Sequence, residues 1–191
     1  MKMLLPLLSI CLLLLAGCRP GDEAPAPAAG EPRQEADARA TEPVPEGADA
    51  KPEIPSLRVT TIDGTEYDLE DRRGKWVVVN FWATWCSPCL KEMPELSALD
   101  AMREHVEVVG LAYEEIEPDA MKAFLEKHPV VYPIAILDVF NPPADFSTPR
   151  GLPMTYLIAP DGKVARQFLG PVTAQEIETA IANNGGPSVE A

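Results

Sequence analysis

Hydrophobic and polar positions divide the chain into three stretches. Residues 3–16 are almost wholly apolar. Residues 19–55 hold no aromatic side chain and only two β-branched aliphatics, Val44 and Ile54, which is too little apolar surface to build a core. From Leu57 onward the pattern is that of a folded domain. Segments 57–60 and 66–69 flank Asp63-Gly64, which predicts a β-hairpin. Residues 75–82 (KWVVVNFW) form a continuous β-branched and aromatic run, as in a strand buried on both faces. A helix is predicted from Ser87 to about Glu104, with a kink at Pro94. A second core strand follows at 106–112, then a helix at 118–127 with proline in its first turn. Residues 134–137 make a short strand. Strands at 154–158 and 164–169 flank the turn Pro160-Asp161-Gly162-Lys163 and form a second hairpin. The last helix runs from Thr173 to about Asn183, with Thr173 and Glu176 spaced as a capping box. Asn184-Gly185-Gly186-Pro187 stops it. There is no internal repeat. This order predicts one α/β domain over residues 56–186, with a mixed central sheet flanked by helices and an N-terminal β-hairpin. A short tail, 187–191, follows.

Composition changes the picture at the N-terminus. Lys2 precedes an apolar stretch shorter than the roughly 20 residues that span a membrane comfortably, as in a secretory signal peptide. Leu15-Ala16-Gly17-Cys18 resembles the bacterial lipobox. That resemblance implies removal of residues 1–17, Cys11 included, and acylation of Cys18 as the new N-terminus. A plain signal peptide or an uncleaved anchor is the alternative. Many of the 21 prolines fall in segment 18–55, which is rich in Pro, Ala and Glu and is expected to be a semi-extended linker. Sixteen basic against thirty acidic residues give a net charge of −14, a poor match for a phosphate backbone, so nucleic acid is not an expected partner.

Of the four cysteines, Cys86 and Cys89 remain for the domain. Trp85-Cys86-Ser87-Pro88-Cys89 directly follows a buried strand and opens a helix, the context a C-x-x-C redox motif needs. At a helix N-terminus, unpaired amides and the dipole favour a thiolate, which is the nucleophile. The second cysteine lies one turn on, within reach to close a small ring. A structural zinc site needs four ligands, and there is no second C-x-x-C; His105 and His128 lie at the ends of two different helices. No metal or other cofactor is expected. A structural disulfide closing so small a loop would stabilise little, and two idle thiols suit a cytosolic chain better than a secreted one.

The segment VVVNFWATWCSPCLKEMP resembles the active-site segment of the thioredoxin superfamily, in its TlpA/ResA-like, cytochrome-c-maturation branch. Gly151-Leu152-Pro153-Met154-Thr155-Tyr156 resembles the second signature of that family. The resemblance implies a thioredoxin fold and thiol–disulfide exchange by Cys86 and Cys89. It implies that Pro153 is cis and faces the cysteines, its neighbouring backbone pairing with the substrate. Leu152 and Met154 would add an apolar contact, and Trp85 would shield the site. Glu92 matches a glutamate held near the pair, where its charge disfavours a second anion and it can shuttle a proton; an exposed helical glutamate is the alternative. Asn80 occupies the position where cytosolic thioredoxins carry a buried acid, and an amide cannot serve as that base. The Pro-rich loop 139–150 is either a partner-specific rim or a plain connector. The implied activity is protein-disulfide reduction on the periplasmic side of the envelope, with re-reduction by a membrane electron donor. Substrates would be apocytochrome c or other oxidised periplasmic proteins. A thiol oxidant is the alternative within the class. A copper chaperone on the same fold would use a longer cysteine spacing and a histidine partner. Either the inner or the outer membrane could hold the anchor.

Overall fold

The computed structural model describes residues 51–188. The expected signal peptide, Cys11, Cys18 and the expected linker up to Ala50 lie outside the described residues. Within them, two short strands, β1 (Arg58–Thr60) and β2 (Glu66–Asp68), form an antiparallel hairpin. Then follow β3 (Trp76–Trp82), α1 (Ser87–Met102), β4 (Val106–Ala112), α2 (Pro118–Leu125) and β5 (Ile134–Ile136). The chain closes with β6 (Met154–Ile158), β7 (Val164–Leu169) and α3 (Ala174–Asn183). Strand order in the main sheet is β5-β4-β3-β6-β7, with β3, β4 and β5 parallel and β6 and β7 antiparallel to their neighbours. This is the expected thioredoxin-like α/β domain, with a mixed five-stranded sheet and an N-terminal hairpin.

Every residue of β3 is buried, because β3 is central and both its faces are covered. Trp76, Val78 and Trp82 face one cluster, which takes in Leu96 and Leu99 of α1, Met121 of α2 and Ile177 and Ile181 of α3. Val77, Val79 and Phe81 face a second cluster, with Tyr67 of β2, Leu69 just after it and Phe146 of the long loop. The only polar residue of β3, Asn80, belongs by alternation to the helix-covered face.

Local chemistry accounts for the boundaries. Gly64 and Gly162 turn their hairpins with φ of 86° and 91°. Thr173 caps α3 through its side chain, and Glu176 reciprocates to the Thr173 backbone, completing the capping box. Helix α1 is continuous through Pro94.

One region differs from the sequence expectation. Composition assigns residues 51–55 to the linker, yet the Glu53 carbonyl accepts from Val164 N at 2.9 Å and Pro55 is buried. The packed chain thus begins before Ser56. Loop 139–150 is pinned at its centre. Phe146 packs edge-on to Tyr156 with centroids 5.0 Å apart, and Asp145 accepts from Ser56 N and Oγ at 2.8 and 2.7 Å. Phe140, by contrast, is exposed.

Candidate active site

Strand β3 ends at Trp82, and a four-residue turn leads into α1. Glu114, just past β4, fixes that turn: its carboxylate accepts from Thr84 N at 2.6 Å and from Thr84 Oγ1 at 2.9 Å. Cys86 is the N-cap of α1, and its Sγ accepts from Cys89 N at 3.3 Å. A sulfur in this position faces the unpaired amides of the first turn, the arrangement that stabilises a thiolate when the pair is reduced. Here Cys86 and Cys89 are joined as a disulfide. Pro88 sits in the first turn, where its missing N–H costs no helix bond. Cys86 is 4% exposed and Cys89 fully buried. Its place at the helix start suggests an open Cys86; the structure leaves it only a sliver of surface in the oxidised state. Trp85 projects beside it, 69% exposed.

Pro153 follows a cis peptide bond from Leu152. Strand register pairs Phe81 with Met154, which brings Pro153 to the end of β3 where the cysteine turn begins. Leu152 is half-buried and packs against both core clusters, leaving part of its surface at the site. Met154, expected to form an apolar contact pair with it, instead points into the second cluster, with Gln167 Nε2 3.2 Å from its sulfur. Alternation along β6 dictates this, since Thr155 takes the opposite face. A groove lined by Ser147, Thr148, Arg150, Met154, Gln167 and Leu169 opens beside the cis-proline.

Glu92 lies one turn after Cys89 on the buried face of α1 and is only 3% exposed. It is not a surface glutamate. Its Oε1 accepts from Asn80 Nδ2 at 2.8 Å, and its Oε2 accepts from the backbone N–H of Val172 at 2.9 Å. Asn80 Nδ2 also donates to Thr155 Oγ1 at 2.9 Å. Burial pushes the Glu92 carboxyl up to about 7, against the two hydrogen bonds that favour its charge. A carboxyl near neutrality beside a redox pair can take or give a proton at working pH.

The structure thus gathers Cys86, Cys89, Glu92, Leu152 and Pro153 at the end of β3, with Trp85 on the rim. Cys18 is outside the described residues. Among the described residues no group of three or more His, Cys, Asp or Glu side chains could hold a metal. Sequence reading missed Glu114, Thr155 and the Val172 amide. Only Thr155 left a signal, as a hydroxyl inside an apolar strand.

A parallel-centred sheet with this redox turn at the end of its middle strand defines a thioredoxin-fold thiol–disulfide oxidoreductase. The chain belongs to the Redoxin family, whose sequence profile matches residues 41–184. It is 36% identical over 128 residues to the thiol-disulfide oxidoreductase ResA of Bacillus cereus, covering 66% of this chain and 73% of that protein. The thioredoxin-like protein YneN of Bacillus subtilis is 30% identical over 132 residues, covering 68% and 76%. Among solved structures, one described as a putative thiol:disulfide interchange protein DsbE from Chlorobium tepidum matches with a TM-score of 0.60 at 28% identity, over 70% of this chain and 95% of that one. A secreted disulfide oxidoreductase of Mycobacterium tuberculosis matches with a TM-score of 0.57 at 25% identity, over 66% and 95%.

Proposed function

We propose that this oxidoreductase is a protein-disulfide reductase working outside the cytoplasm through Cys86 and Cys89. The observation that carries the reading is the pairing of a helix-capping Cys86 with a buried carboxyl, Glu92, one turn beyond its partner Cys89. The Cys86 thiolate attacks one sulfur of a partner disulfide, and the other partner sulfur leaves as a thiolate and takes up a proton. Cys89 then loses its proton to Glu92 and attacks Cys86 Sγ. The mixed disulfide breaks, the second partner sulfur leaves as a thiolate, and Glu92 can return the proton. The partner gains two electrons and two protons, and the chain is left with the Cys86–Cys89 disulfide. Leu152 and Pro153 bind the partner backbone, and Trp85 covers the exchanging sulfurs. Apocytochrome c, with its C-x-x-C-H pair, is one substrate of the right chemistry; other oxidised periplasmic proteins are equally fitting. A membrane electron donor restores the dithiol. Anchoring through acylated Cys18 to the cell envelope, with 18–50 as spacer, fits the lipobox-like sequence and the secreted relative.

The test is an exchange assay with an oxidised C-x-x-C-H peptide. The reduced protein should yield peptide dithiol, Cys86→Ser should abolish this, and Cys89→Ala should accumulate a mixed disulfide on Cys86. Equilibrium with glutathione then fixes the direction. A couple more oxidising than glutathione would mean an oxidant rather than a reductant.

A further inference from the structure

Asn80 stands between two hydrogen-bonding partners of different kinds. Its Nδ2 donates to the Glu92 carboxylate at 2.8 Å and to the Thr155 hydroxyl at 2.9 Å. All three side chains are buried, Asn80 and Thr155 completely. Asn80 Oδ1 is buried with no hydrogen-bond partner. A buried amide oxygen without a donor costs on the order of 1–3 kcal/mol, so this orientation is held only while both neighbours face Nδ2 as acceptors. For Glu92 that is the ionised state: it accepts from both Asn80 and the Val172 amide, and neither of its oxygens is called on to donate.

A protonated Glu92 reverses the requirement. The acid must donate one hydrogen bond, and an N–H facing it would then oppose an O–H. The two ends of a side-chain amide have the same shape and opposite polarity. A half-turn about χ2 presents Oδ1 to Glu92 and Thr155 in place of Nδ2. The threonine hydroxyl accepts in the first orientation and donates in the second, so it serves both.

We propose that Asn80 is the positioning residue of the site's proton relay. Its amide donates to Glu92 while Glu92 is ionised and turns over to accept from Glu92 when Glu92 holds the proton. The inference rests on the reading of Glu92 as the proton acceptor of the redox pair. Burial dominates the titration of Glu92, and the ionisable groups that act on it are few. Glu95, on its own helix, opposes its ionisation, and Tyr132, from the loop ahead of β5, senses its charge. Cys89 lies one turn before it, and β6 offers only the neutral Thr155.

The test is nuclear magnetic resonance of the oxidised wild-type protein between pH 5 and 9. It follows the Glu92 carboxyl carbon together with the Asn80 side-chain nitrogen and its amide protons. The two nuclei should titrate with one midpoint. Cross-peaks from the amide protons to the Thr155 side chain, strong at high pH, should disappear below that midpoint. If Glu92 titrates and the cross-peaks persist at both ends, the amide is fixed and this proposal is wrong, while the reading of Glu92 stands. If Glu92 does not titrate in this range, both fall. A second measurement uses the pH profile of disulfide exchange in Asn80→Asp. Two carboxyls would then share one proton, and the single inflection should split into two separated by more than about one pH unit. An unchanged single inflection would show that position 80 does not govern the proton on Glu92.

Discussion

The Glu92 side chain couples protonation both to redox chemistry and to stability. The helix dipole lowers the Cys86 thiol pKa, and a nearby carboxylate raises it. Glu92→Gln should therefore lower the thiol pKa, stabilise the dithiol and make the couple more oxidising. One pKa unit corresponds to about 30 mV for a two-electron couple. Sequence alone suggests a change on that order, from a carboxyl still touching water. Glu92 keeps only 3% exposure, so the expected change is larger than about one unit. Thiolate absorbance against pH, paired with a glutathione titration, checks it; no change in either quantity would remove Glu92 from the site. Stability carries the same signature with a defined sign. The folded carboxyl sits at about 7 against an ordinary value of 4.5. Below both values the acid is neutral in folded and unfolded chains, and burial carries no ionisation penalty. Between them the unfolded chain releases its proton first, so stability falls as pH rises, by up to roughly 3 kcal/mol in all. The carboxylates Asp63, Asp68, Asp145 and Glu176 are shifted down, so their opposite contribution is largely complete by about pH 5. Urea unfolding of the oxidised protein at pH 5 and pH 8 should show the loss, and Glu92→Gln should flatten it.

Helix α1 turns this chemistry into an order of reactivity. Cys86 occupies the N-cap with a trace of exposure, and Cys89 lies a turn deeper with none. Brief alkylation of the reduced protein, read by mass spectrometry, should modify Cys86 first; preferential labelling of Cys89 would reverse the assigned roles. At the other end of the domain, Thr173→Ala removes half of the α3 capping box and should cost about 1 kcal/mol in urea unfolding. Features of this kind are readable in advance because they are local. A strand with seven buried residues announces itself as an apolar run, C-x-x-C marks a helix start, and Thr173 to Glu176 spells a cap. Gly64 and Gly162 mark turns that need positive φ. What escapes is decided by partners far along the chain. Glu114 holds Thr84 across 30 residues, and Val172 N reaches Glu92 across 80. Phe146 turns a Pro-rich loop into part of the core, which its neighbours in sequence do not suggest. Met154 and Leu152 look alike as letters, but strand alternation sends one inward and leaves the other half-open. Glu92 has two sequence readings, surface or site, and only the packing of α1 on Asn80 decides between them.

At the scale of the whole molecule, the proposed function assigns redox chemistry and tethering to different parts of the chain. The packed domain already includes residues 51–55, through Glu53 and Pro55, so a tether has to come from upstream of it. The proposed anchor is the lipobox-like Leu15-Ala16-Gly17-Cys18, in which small residues precede a thiol that would take a diacylglycerol. A lipoprotein terminus carries more than one acyl chain, and burial of each methylene contributes about 0.8 kcal/mol, so attachment to a membrane would be stable. The expected outcome is that cells fed a labelled fatty acid incorporate it into this protein, and that the mature chain lacks residues 1–17. Cys18→Ala should abolish the label and release the protein from the membrane fraction. The same variant should keep the wild-type glutathione equilibrium, because Cys86, Cys89 and Glu92 are all housed in the packed domain. Absence of label from the wild-type protein, or label that survives Cys18→Ala, would show that Cys18 is not the anchor. A shifted redox equilibrium in Cys18→Ala would show instead that the N-terminal cysteine takes part in the exchange chemistry, and that tether and active site are not independent.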